Sequence, residues 1–147
     1  MSHKNPWLIA GGWLSAAAAL LHLGCIIEGP AWYRLFGAPE PLIVALEAGD
    51  RTLHWITAAI VVLLAVWSAY AFAGAGLMRR LPLMRTALIA ITAIYLVRGL
   101  LIVPVLMSPN PAQFDIWSSL VVLAFGLVYA IGTARAWPAL TPQESFV

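Results

Sequence analysis

The chain has 147 residues, 63% of them hydrophobic and only 10% charged, with a formal net charge of +2, whereas an ordinary soluble domain is about 45–50% apolar and about 25% charged. Eight basic and six acidic side chains, separated by long intervals with neither, exclude a disordered chain, a nucleic-acid reader and an acidic tail. What remains is an integral membrane protein of one domain, four spans of about 20 residues each taking up most of the length.

The first predicted span covers residues 6–27, where only Ser15, His22 and Cys25 interrupt an apolar run. A cleaved signal peptide is the rival reading, because Ser2-His3-Lys4 resembles a short basic start and Ala16-Ala17-Ala18 a cleavage site. The run continues past those alanines to Ile27, so a retained helix is expected. Cys25 is the single cysteine, which leaves no intramolecular disulfide and no thiolate-rich metal site.

Residues 29–52 form a long connector. It holds Trp32, Tyr33, Arg34 and Phe36, then Gly37-Ala38-Pro39-Glu40-Pro41, then an apolar stretch ending at Glu47, Gly49 and Asp50. The aromatics and Arg34 suit the headgroup region as an interfacial belt. Pro41 starts a short predicted helix that Gly49 stops. The segment reads either as a belt that anchors the bundle or as a lid over a pocket.

The remaining spans are predicted at residues 53–78, 86–107 and 116–134. The third is interrupted by Arg98 and closed by Pro104, Pro109 and Pro111. The apolar runs do not alternate and are about twice a barrel strand in length, so helices are the consistent choice. Ala65, Ala69 and Ala73, and likewise Gly126, Ala130 and Ala134, recur every fourth position and suggest packing seams. The expectation is an all-α bundle of four antiparallel transmembrane helices. Arg79, Arg80 and Arg85 in the second connector, with Lys4 and Arg135 toward the termini, place those segments in the cytoplasm and the long connector outside.

Depth arithmetic then sets the candidate site. With 1.5 Å per residue, His22 lies about 9 Å inside the outer boundary and Arg98 about 13 Å, with Ser118 and His54 just within it. A guanidinium at that depth requires water, a carboxylate or a lipid phosphate. Glu28, Glu47 and Asp50 are the candidate partners, and Tyr95 sits one turn below on the same helix. Arg98 therefore reads as half of an ion pair that fixes register, or as an anchor for an anionic or carbonyl-bearing amphiphile. His22, Cys25 and Glu28 cover one arc of a helix but lack a zinc-site pattern, and the two histidines differ by about 6 Å in depth, against bis-histidine haem. No cofactor, metal or nucleotide motif is predicted.

Leu21-His22-Leu23-Gly24-Cys25, Gly29-Pro30, Trp32-Tyr33-Arg34, Phe36-Gly37-Ala38 and Glu40 resemble the first-connector signature of a group of uncharacterised small four-span bacterial membrane proteins. Gly74-Ala75-Gly76-Leu77, Arg80-Leu81-Pro82 and Tyr95-Leu96-Val97-Arg98-Gly99 are similar too. The resemblance implies the bacterial inner membrane and brings no activity. A looser likeness to DoxX-type proteins rests on size, span count and a glycine-containing outer connector. The reading preferred from the residues is a non-catalytic or accessory protein whose outer-half pocket, from His22, Glu28, Glu47, Asp50, His54, Tyr95, Arg98 and Ser118, holds a lipid-like molecule. An isomerase-like enzyme with His22 and Glu28 as acid and base, and a small oligomeric transporter, are the alternatives.

Overall fold

The computed structural model describes residues 4–140 and is all-α, with no strand among those residues. Four helical segments are long and apolar enough to cross a bilayer: α1 (Pro6–Glu28), α4 (Thr52–Gly74), α5 (Met84–Leu100) continued by α6 (Ile102–Met107), and α7 (Gln113–Leu140). Two short helices, α2 (Pro30–Leu35) and α3 (Glu40–Glu47), fill the first connector. The fourth span is longer at both ends than the sequence suggests. Arg135 lies inside it, its guanidinium 5.7 Å from the Trp7 ring centroid, within reach of a cation–π contact.

Local chemistry sets the ends. Asn5 caps α1 by accepting from the amides of Trp7 and Leu8 at 3.1 and 3.3 Å, and Pro6 follows where no amide hydrogen is needed. The Asn5 Nδ2 also donates to the Gly132 carbonyl at 2.7 Å, tying the start of α1 to α7. Glycines at positive φ close α2, α3 and α4 by one device. The amides of Ala38, Asp50 and Leu77 reach back to the carbonyls of Tyr33, Ala45 and Phe72, and those of Gly37, Gly49 and Gly76 to Arg34, Leu46 and Ala73. This closure ends α4 at Gly74, four residues before the sequence estimate. Pro104 has no amide hydrogen to give the Leu100 carbonyl, and the third span breaks at Leu101 into α5 and α6.

The helices form an up-down bundle in the ring order α1, α4, α5, α7, with α1 packed most extensively on α4 and α5 on α7. Their buried residues step mostly by three, four or seven. In α5 they are Met84, Leu88, Ile91, Tyr95 and Gly99; in α7 they are Ser119, Gly126, Tyr129, Gly132, Thr133, Ala136 and Leu140. This is the seam of a left-handed bundle. The four-residue alanine stripes are not seams, because each four-residue step turns about 40° beyond a full circle: Ala73 is buried but Ala65 exposed, and Gly126 is buried but Ala134 exposed. Backbones come closest at α5 and α7. A Cβ added at Gly99 would lie 2.5 Å from the Leu123 Cα, and one at Gly126 3.0 Å from the Leu96 amide nitrogen. Around this core, Trp13, Leu20, Ile27, Val62, Val97 and Leu127 point outward, an apolar exterior that suits hydrocarbon.

Candidate functional site

Across the middle of the bundle the core carries hydroxyl groups. Ser15 Oγ lies 2.7 Å from the Tyr129 hydroxyl and 2.9 Å from that of Tyr95, and the Tyr129 hydroxyl donates to the Trp67 carbonyl at 3.3 Å. Tyr95 stacks edge-on against Trp67 with centroids 4.9 Å apart. All four spans meet in this knot. Its members are almost wholly buried and bond to one another, and no acid, base or cation touches Ser15 among the described residues. Its hydrogen bonds staple the four spans to one another. Tyr95 belongs here, away from Arg98. Ser15, Trp67 and Tyr129 escape sequence reasoning because bonds between different helices leave no spacing to read.

The outer-half candidates do not converge. Arg98 is exposed and its Nη1 donates to Ser119 Oγ at 3.3 Å, with no carboxylate within 4.0 Å among the described residues. The expected Arg98–Glu28 pair is therefore absent, and Glu28 lies exposed at the end of α1. His22 donates from Nδ1 to the Ala18 carbonyl of its own helix at 2.7 Å and makes no bond to Glu28. Ser118 donates to the Asp115 carbonyl at 3.3 Å. Asp50 accepts from the Thr52 amide at 2.8 Å and the Thr52 hydroxyl at 2.6 Å at the start of α4, and these bonds hold its carboxyl below the usual range.

The connector is a packed cap. Cys25 of α1, Tyr33 of α2, Ile43 of α3 and Leu53 of α4 form a buried cluster, with Trp32, Phe36, Leu42 and Leu46 against it. Tyr33 is thus a core residue rather than part of an interfacial belt, at 3% exposure. Its hydroxyl donates to Thr57 Oγ1 at 3.1 Å, which donates to the Leu53 carbonyl at 2.8 Å. Burial pushes the Tyr33 phenol up, more than the Thr57 bond lowers it. Arg34 ties the two short helices together: Nη2 and Nε reach Glu40 Oε1 at 2.9 and 3.1 Å, and Nη1 reaches Glu47 Oε1 at 2.9 Å. Glu47, then Glu40, raises the Arg34 pKa, and the Arg34 hydrogen bond lowers that of Glu47. Glu47 is committed to the cap and not to Arg98.

Between this cap and the first turn of α4 lies an open crevice of about 340 Å³, lined by Pro30, Leu46, Gly49, Arg51 and His54. The His54 ring rests on Tyr33, centroids 5.8 Å apart and planes 37° off parallel. Its Nε2 is buried and has no hydrogen-bond partner. An unsatisfied buried nitrogen is costly, and the residue that carries it lines the crevice. Arg51 makes no ion pair among the described residues. Pro30 and Leu46 supply apolar wall. Arg51 carries no signal of a site in the sequence, because it flanks a span, where basic residues are ordinary.

Among the described residues no group of three His, Cys, Asp or Glu side chains could hold a metal ion. No family model, no curated protein and no solved structure matches the chain.

Proposed function

We propose that the chain is a multi-pass protein of the bacterial cytoplasmic membrane, with its termini and its Arg79–Arg85 connector in the cytoplasm, and that its outer cap holds a lipid-like amphiphile without chemically transforming it. The head of that ligand is anionic or carbonyl-bearing. Arg51 offers it a charged donor and His54 Nε2 a ring nitrogen, while Pro30 and Leu46 take the first methylenes. The observation that carries the reading is a crevice lined both by His54, whose buried Nε2 has no hydrogen-bond partner, and by Arg51, which has no ion pair among the described residues. Ile27 and Trp55, on the two helices that flank the cap, are exposed apolar side chains, and they offer an acyl chain a surface on the bilayer side.

The basic connector supports the orientation, since a run of three arginines without an acid is retained on the cytoplasmic side. A direct test of the ligand reading is nitrogen NMR of histidine-labelled protein in neutral detergent, titrated with oleate. The His54 Nε2 resonance should move saturably, and Arg51→Gln should weaken the response. No saturable movement, or an equal movement at His22, removes the crevice as the binding site.

A further inference from the structure

At the other end of the bundle the charges are all of one sign. Lys4, Arg79, Arg80, Arg85 and Arg135 lie there with no acid among the described residues, and Glu144 lies outside those residues. The α4–α5 connector is held in place, since the Tyr70 hydroxyl donates to the Pro82 carbonyl at 3.1 Å. Arg80 Nη2 donates to the Ala139 carbonyl at 2.6 Å, near the end of α7, which anchors the guanidinium there. Arg85 is placed from the other side: its guanidinium lies 3.9 Å over the Trp137 ring, and its Nε is buried with no hydrogen-bond partner. Between the two arginines is an opening of about 310 Å³ whose polar lining is Arg80, Arg85 and Thr86 and whose apolar lining includes Leu81, Leu83 and Leu140.

Two further observations make this opening more than a basic surface. Leu83, which begins α5, sits at φ 54°, a left-handed conformation unusual for a bulky side chain, and is 76% exposed at the rim. As a leucine it has no oxygen to cap α5, so the first-turn amides have no side-chain acceptor. An acceptor-rich, negatively charged group would answer the uncapped amides and the Arg80 and Arg85 guanidinium groups that line the opening together.

We infer that this opening is a binding site for the phosphate of an anionic phospholipid, with Arg80, Arg85 and Thr86 on the phosphate and Leu83 beside the acyl chains. A lipid is favoured over free phosphate by the apolar rim, and basic pockets between transmembrane helices are suited to such headgroups. The site lies at the opposite end of the spans from the His54 crevice and does not depend on it.

The test is native mass spectrometry of the intact protein in neutral detergent, titrated separately with phosphatidylglycerol, phosphatidylcholine and inorganic phosphate. Phosphatidylglycerol should bind at least about tenfold more tightly than phosphatidylcholine, and Arg80→Gln and Arg85→Gln should each weaken it about tenfold, the scale of a lost charge-assisted hydrogen bond. Arg79→Gln, which removes the same charge without touching the opening, should change it less than about twofold. Should Arg85→Gln fail to fold, Arg80→Gln carries the comparison, because that side chain is on the surface. Equal binding of the two lipids, an equal loss in Arg79→Gln, or displacement of the lipid by inorganic phosphate would each overturn the assignment.

Discussion

The Arg98 guanidinium reaches only the Ser119 hydroxyl across the α5–α7 groove. Helix geometry explains the outcome. Tyr95 and Arg98 are three residues apart, about 60° in azimuth, so with Tyr95 on the buried seam Arg98 turns out of it. Depth along a helix is legible in a sequence because it is a count from the span end; which way a side chain faces depends on the partners of that helix. Hence Arg98 could be located as a charge in the outer half, but no buried ionic partner for it could be found, since none is present among the described residues. Arg98→Leu should accordingly leave thermal stability in detergent unchanged or slightly raised, because no carboxylate is orphaned. A loss of about 3–5 kcal/mol in equilibrium unfolding would instead indicate a dry ion pair. The Ser15 knot is illegible for a related reason: Ser15 and Tyr129 are separated by a whole bundle of sequence, and neither position betrays the other until the helices pack.

At the scale of elements, the four long helices were legible because hydrocarbon thickness demands long apolar runs, and the stop at Gly49 because a positive φ there favours glycine. The cap was only half legible. Trp32, Tyr33 and Phe36 fit a headgroup belt equally well until Ile43 and Leu53 are seen to cover Tyr33. What holds α3 against α2 on the exposed side is Arg34 between two carboxylates, and this attachment depends on pH. The Glu47 pKa is lowered in the folded protein by the Arg34 hydrogen bond, so its contribution is present above the ordinary carboxylate range and is lost as pH falls through the folded value, while Arg34 remains charged throughout. Hydrogen exchange of the α3 amides, corrected for the intrinsic rate, should therefore lose protection as pH falls below the ordinary glutamate range, about 4.3. Arg34→Gln should lower protection at neutral pH and abolish most of that pH dependence. A pH profile identical in the two proteins would show that the apolar cluster alone holds the cap.

For the whole molecule, the division of charge is as informative as the fold. Glu28, Glu40, Glu47, Asp50 and Asp115 sit at one end of the bundle and the arginine-rich connector at the other. With Cys25 replaced by alanine, single cysteines at positions 40 and 110 should react with a membrane-impermeant thiol reagent in intact cells, and one at position 79 should react only after permeabilisation; the reverse pattern would invert the topology. The account rests most heavily on an amphiphile held under the outer cap. Intact mass measurement of the protein released from native-membrane nanodiscs addresses this directly. Measured in an Arg80→Gln background that weakens the opposite lipid site, it should show an amphiphile that persists when Arg98→Leu is added and disappears when Arg51→Gln and His54→Phe are added together, whereas the same adduct at undiminished occupancy in that last variant, or no adduct on the Arg80→Gln chain, would contradict it.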